Sequence, residues 1–154
     1  MLKPYTNEPL TDFSVEANIV AFRKALDCVK AELGQNYPLV INGEHISLDD
    51  QFASVNPARP DEVVGNFANG MAQHVDHAVE AASKAFESWK RVAVRERARY
   101  LLRAAAEMRR RKHEFSAVMV LEVGKSWVEA DADTAEAIDF LDYYARQMVD
   151  LADS

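Results

Sequence analysis

The sequence predicts an α+β fold dominated by helices, with two short antiparallel β pairs set among them. Three observations carry this reading. Apolar residues recur at steps of three and four over most of the chain outside residues 37–68, which is the spacing of one helical face. An Asn-Gly pair, Asn42-Gly43, stands between two apolar runs, where both turn residues tolerate positive φ. After Gly124 there is neither Pro nor Gly, so nothing interrupts a long helix once it starts.

Taken in order, Ser14 precedes the series Val15, Ile19, Phe22, Leu26, Val29, Leu33, six side chains on one helical face. Ser14 is the expected N-cap and Gly34 the expected left-handed stop. Cys28 lies beside the stripe and reads as a half-buried small residue with nothing nearby to lower its pKa. Tyr37–Ile41 and Glu44–Leu48 flank Asn42-Gly43 as a first hairpin. Phe52–Val55 and Val63–Phe67 form a second pair, joined by the turn-forming residues 56–61.

Helical periodicity resumes at about Met71, with Val75, Ala78, Val79, Ala82, Phe86 and Trp89 on one face. From about Val94, Ala98, Leu101, Leu102, Ala105 and Met108 face inward, and Arg95, Arg99, Arg103 and Arg110 face outward. Phe115, Val118 and Met119 keep the helical register as far as Gly124, the expected stop. Ser126-Trp127-Val128-Glu129 reads as a capping box: the serine oxygen accepts from the Glu129 amide, and the glutamate reaches back to the Ser126 amide. The helix it opens is expected to reach Leu151.

Composition limits the function. The 154 residues carry 18 Lys+Arg and 25 Asp+Glu, a net charge of −7, with 49% apolar residues to fill a core. Mean hydropathy is −0.26 and no apolar run approaches a membrane span. The first residues lack the apolar core of a secretory signal, so a cytoplasmic protein is expected. One cysteine excludes an intrachain disulfide. Five glycines, none two positions from another, exclude a G-x-G-x-x-G phosphate loop.

The charge is uneven. Arg91–Lys112 holds nine bases against Glu96 and Glu107, and Glu122–Ser154 holds nine acids against Lys125 and Arg146. This pattern reads as neighbouring helices with complementary solvated faces, and not as a nucleic-acid stripe. His74 and His77 have ligand spacing without a third ligand and read as surface histidines. Asp131, Asp133, Glu136, Asp139 and Asp142 lack a calcium-loop glycine. No complete catalytic set emerges from these residues.

What is familiar is order. Ile41-Asn42-Gly43-Glu44, Val55-Asn56-Pro57 and Val64-Gly65 resemble the opening hairpins of the aldehyde dehydrogenase superfamily. Ala81-Ala82 through Ala85-Phe86 to Trp89, with Arg97 and Leu101-Leu102, is similar to that family's first paired helices. Glu122-Val123-Gly124-Lys125 matches its E-x-G-K turn. A narrower resemblance is to the 1-pyrroline-5-carboxylate (L-glutamate γ-semialdehyde) dehydrogenase branch. It is carried by Asn7-Glu8-Pro9, the long helix before Tyr37-Pro38, Arg109-Arg110-Arg111-Lys112, and the stretch from Trp127 through Ala135–Phe140 to Tyr143-Tyr144-Ala145.

The resemblance covers essentially every residue, but only the first part of that family's much longer chains. It implies the N-terminal part of the fold: an arm and helix over 1–36, hairpins over 37–68, and helices over 71–152 that flank a nucleotide-binding sheet lying beyond this chain. In that family a cysteine thiolate attacks the aldehyde, hydride passes to NAD, and a glutamate-activated water releases the acid. Those groups lie beyond residue 154, Cys28 does not match the nucleophile, and no position here inherits a catalytic role.

The isolated chain is therefore expected to be inactive, to bind no NAD alone, and to expose apolar surface at Phe86, Trp89, Leu101, Leu102 and Ile138. Its expected partners are the remainder of the dehydrogenase chain and, when intact, further copies in a homo-oligomer; neither nucleic acid nor membrane is expected. The early Asn7-Glu8-Pro9 favours a free-standing enzyme over one fused to proline dehydrogenase. By position alone Glu136 is a solvated member of an acidic face, whereas the resemblance makes Glu136 and Phe140 residues of the substrate tunnel. The alternative is a non-catalytic helical module that binds a partner through the Arg91–Lys112 stripe.

Overall fold

The computed structural model describes residues 4–153. They form two compact units, one of residues 32–92 and one of the residues on either side of that segment.

The flanking unit is helical: α1 (Glu16–Lys30), α3 (Val94–Arg110), α4 (Lys112–Val123) and α5 (Trp127–Asp153). Its core is rich in alanine, with Ala98, Ala105, Ala117, Ala130, Ala135 and Ala145 all buried. Small side chains let α5 lie close against α3 and α4, and Ile138, Leu121 and Val149 fill what remains. One hydrophilic pair sits inside this contact. The Ser116 and Thr134 hydroxyls are 2.8 Å apart, each within 3.0 Å of a carbonyl one turn back, of Lys112 or Ala130, so one hydroxyl donates to the other and the second to its carbonyl. Every hydroxyl there has a partner, which removes the cost of burying it.

At the end of the unit where α1 meets α4, Phe22 is fully buried with Phe13, Trp127 and His113 around it, at ring distances of 5.3, 4.7 and 5.6 Å. The Phe22–Leu26 part of the expected stripe is the buried part of α1, and Cys28 is exposed where a half-buried position was expected. Ser14 does not cap α1. Its hydroxyl and amide both bond the Asp12 carboxylate, at 2.7 and 2.8 Å, and Val15 takes the N-cap position. Asp12 is the stronger acceptor, so the serine is engaged before the helix begins.

The expected register across Glu114 conceals a break. Arg111 leaves helical geometry at φ −108° and ψ 22°, ending α3 and starting α4. Gly124, at φ 74°, ends α4 as expected, a conformation that costs other residues about 1–2 kcal/mol.

The intervening unit holds β1 (Gln35–Tyr37), β2 (Leu39–Ile41), β3 (Glu44–Ile46), β4 (Gln51–Asn56), β5 (Arg59–Ala68) and α2 (Ala72–Trp89). The two expected antiparallel pairs are present, β2 with β3 about Asn42-Gly43 and β4 with β5. A third pairing was not foreseen: β1 runs parallel to β5, giving the order β1-β5-β4. Gly34, at φ 77°, lies past the end of α1 and donates its amide to the Val64 carbonyl, which sets that strand in place. The second hairpin is tighter than expected, with only Pro57-Ala58 between its strands. The register shifts around Val55, so Pro60 falls in the irregular stretch and no ladder bond is lost. Gly65 lies under the stacked rings of Tyr37 and Phe67, where a Cβ would come within 2.8 Å of the tyrosine ring. None of the α2 side chains is fully buried.

Candidate functional site

The site begins with the element that carries it. The Ser126 amide donates to a Glu129 carboxylate oxygen at 3.2 Å, and the Glu129 amide donates to the Ser126 hydroxyl at 3.3 Å, so the expected capping box opens α5. Glu129 also accepts from the Ser126 hydroxyl at 2.9 Å, and these bonds hold its carboxyl below the usual range.

α5 has two faces. One side buries Ala130, Asp131, Thr134, Ala135, Ile138, Ala145 and Val149. The other exposes Glu136, Phe140, Tyr143 and Tyr144. Phe140 is 52% exposed and stacks on Tyr144 at 5.9 Å. Among the described residues Glu136 has no hydrogen-bond or ion-pair partner. Its neighbours Ala135 and Ile138 point into the core and not alongside the carboxylate, so within this chain Glu136 is solvated. Glu136 and Phe140 are thus brought to one exposed face, one helical turn apart.

The arm that precedes α1 is fastened to the same helix. The Glu8 amide and the Asn7 side chain both donate to Asp139, at 2.7 and 2.8 Å. About two turns back, the Thr11 amide and hydroxyl donate to the two oxygens of Asp131, at 2.7 and 2.6 Å. Lys112 completes this second clasp, reaching Asp131 at 3.0 Å and the Pro9 carbonyl at 2.8 Å. Arg109 holds the Glu8 carboxylate at 2.6 Å. Asn7-Glu8-Pro9 and Arg109–Lys112, which sequence could only cite as separate likenesses, are two sides of one device.

The electrostatics follow from this geometry. Asp131 is 1% exposed. Burial pushes its carboxyl up, but the bonds from Thr11 and Lys112 outweigh burial and hold it below the usual aspartate range. Burial is also the largest influence on its neighbour His113, pushing that imidazole down, and the Lys112 charge adds to it. Partial burial and the Asp139 carboxylate raise the Tyr5 phenol.

By sequence Asp131 and Asp139 belong to a solvated acidic run, with nothing to mark their role. Their partners lie 120 to 132 residues away, beyond any local spacing rule. The basic stripe is similarly engaged. Arg99 pairs with Glu96, Arg110 with Glu107, Arg111 with Glu114, Arg109 with Glu8 and Lys112 with Asp131. His74 accepts the Met71 amide at 3.0 Å and so caps α2 locally. Among the described residues no group of three or more His, Cys, Asp or Glu can hold a metal ion. No helix among them is long and apolar enough to cross a membrane.

The described residues do not fit a dinucleotide. The junction from β5 to α2 has one glycine, Gly70, where a pyrophosphate cradle needs a run of free amides closely approached.

Comparison with known proteins agrees with this architecture. The chain is 58% identical over 152 residues to the 1-pyrroline-5-carboxylate dehydrogenase of Bacillus pumilus, which covers 99% of the chain and 30% of that protein. It is 59% identical over 153 residues to 1-pyrroline-5-carboxylate dehydrogenase 2 of Halalkalibacterium halodurans, with the same coverage of 99% and 30%. The crystal structure of 1-pyrroline-5-carboxylate dehydrogenase from Thermus with bound NAD superposes with a TM-score of 0.91 at 50% identity, over 94% of this chain and 28% of that one. The chain therefore spans about 30% of the length of the curated relatives it matches. A helix-dominated α+β fold, shared closely with solved relatives, and a match of residues 45–154 to the aldehyde dehydrogenase family model establish that this chain belongs to the aldehyde dehydrogenase family.

Proposed function

We propose that this chain is the N-terminal portion of an NAD-dependent dehydrogenase that oxidises L-glutamate γ-semialdehyde to glutamate in proline or arginine breakdown. The observation that carries the proposal is the likeness to proteins named for this activity, which runs through 99% of the chain, arm and α5 included. In this reading α5 flanks the route by which the aldehyde arrives. Glu136 offers a carboxylate to the substrate's α-ammonium group, and Phe140 packs against its aliphatic body. The arm clasp fixes the helix that presents them. The helices over 71–152 flank the nucleotide-binding sheet of the complete enzyme, and NAD supplies the hydride acceptor there.

The nucleophile and the general base belong to the remainder of the polypeptide, so the 154 residues alone do not catalyse. The remainder of the chain and further copies of the enzyme are its partners, in the cytoplasm. The test is a substrate panel on the full-length enzyme with NAD. L-Glutamate γ-semialdehyde is expected to have the highest kcat/KM, well above propanal, acetaldehyde and succinate semialdehyde. A preference for an aldehyde without an α-ammonium group would overturn the proposal.

A further inference from the structure

We infer that Tyr5 is a positioning residue for the substrate-facing face of α5, acting through a run of packed rings that ends at Phe140. The inference rests on the assignment of Glu136 and Phe140 to the substrate route. The run is continuous. Tyr5 meets Tyr143 edge-on at 5.4 Å and 67°, Tyr143 meets Tyr144 edge-on at 5.5 Å and 77°, and Tyr144 stacks on Phe140 at 5.9 Å and 26°. Such offset and edge-to-face contacts have preferred geometries, so each ring restricts the next.

Both ends of the run are tied to the same helix. Asn7 donates from one amide nitrogen to the Tyr5 hydroxyl at 3.2 Å and to Asp139 at 2.8 Å. The Glu8 amide adds a second bond to that carboxylate at 2.7 Å. Asp139 lies three residues from Glu136 and one from Phe140, so the tether and the proposed substrate contacts share one turn of α5. Phe140 is 52% and Tyr144 58% exposed, so among the described residues the ring contacts are what restricts their rotamers. The arm supplies that restriction from one side.

The geometry also says what matters in Tyr5. The ring contacts Tyr143, whereas the hydroxyl accepts from Asn7 and lies against the Asp139 carboxylate, which keeps its bonds from Asn7 and the Glu8 amide without it. Tyr5→Phe should therefore behave as wild type, and Tyr5→Leu should not.

The test uses the full-length enzyme with L-glutamate γ-semialdehyde and propanal. For the semialdehyde, Tyr5→Leu is expected to raise KM and lower kcat/KM by about twofold to tenfold. The kcat for propanal should be unchanged and Tyr5→Phe should restore KM. Phe140→Leu should give a similar loss, and the Tyr5→Leu/Phe140→Leu double variant should lose no more than either alone, because one acts through the other. Additive losses would overturn the inference, as would an equal fall in kcat for both aldehydes alongside a lower Tm. If Glu136→Ala and Phe140→Leu discriminate between the aldehydes while Tyr5→Leu does not, the positioning role alone fails. If neither Glu136→Ala nor Phe140→Leu discriminates, the substrate-route reading fails and this inference with it.

Discussion

Two carboxylates on α5 have opposite circumstances, and each carries a prediction. Glu136 is exposed and without a partner among the described residues, so within this chain its charge serves nothing. Under the proposed function it holds the substrate ammonium in the complete enzyme. Glu136→Ala should then lower kcat/KM for L-glutamate γ-semialdehyde by about ten- to a hundredfold, the loss of roughly 1.5–3 kcal/mol from a charge-assisted bond. Propanal, which offers no ammonium, should be nearly unaffected. Equal changes for both aldehydes would return Glu136 to an ordinary surface position.

Asp131 is buried and fully used. Removing one partner of a buried pair costs about 3–5 kcal/mol because the other charge is left stranded, here on Lys112. In Asp131→Ala, the Thr11 amide should exchange at least about a hundredfold faster, read by hydrogen exchange on an N-terminal peptide of the full-length enzyme. Acid should act the same way. The Asp131 carboxyl titrates below its ordinary value when folded, so its contribution is complete above about pH 4 and is lost as pH falls through the folded value. His113, depressed by burial, adds to the loss on the same side, since charging it opposes the folded state. The arm should release in acid and stay clasped at neutral and mildly alkaline pH. Arm protection, corrected for intrinsic exchange, that does not fall from neutral pH to the onset of acid unfolding would contradict this.

At the scale of the element, legibility followed the range of the interaction. The Ser126–Glu129 capping box, the Asn42-Gly43 turn and the Gly124 stop are local chemistry within four residues, and each stands where the sequence put it. Ser126→Ala should destabilise the first turn of α5 by about 1 kcal/mol, roughly fivefold in local amide exchange. No change there would mean that packing alone starts the helix. β1 escaped notice because Gln35-Asn36-Tyr37 is polar, exposed at every position and three residues long, so it lacks the alternation of a half-buried strand. The break at Arg111 was hidden because apolar spacing continues through it. The arm was illegible for a different reason: its partners on α5 are more than a hundred residues away. Only the family resemblance marked those positions, and it marked them without saying that they touch.

At the scale of the whole molecule, the exposed apolar residues indicate how much packing lies outside this chain. Val75, Val79, Phe86 and Trp89 on α2 are 60%, 60%, 55% and 41% exposed, and Leu101 on α3 is 40% exposed. Leu102 is partly buried, and Ile138, expected on this surface, is 0% exposed because it faces the core beneath α5. On α2 and, separately, on α3, apolar side chains are thus left open to solvent. They accord with a chain that spans about 30% of its relatives.

Under the proposed function these residues form a helical scaffold that presents substrate but does not catalyse. The most direct measurement is the rate of NADH formation from L-glutamate γ-semialdehyde and NAD, by the 154-residue chain of confirmed mass and by the full-length enzyme in parallel. Steady NADH formation by the full-length enzyme is expected, with the 154-residue chain indistinguishable from a protein-free blank. NADH from the short chain, or none from the full-length enzyme, would contradict the account.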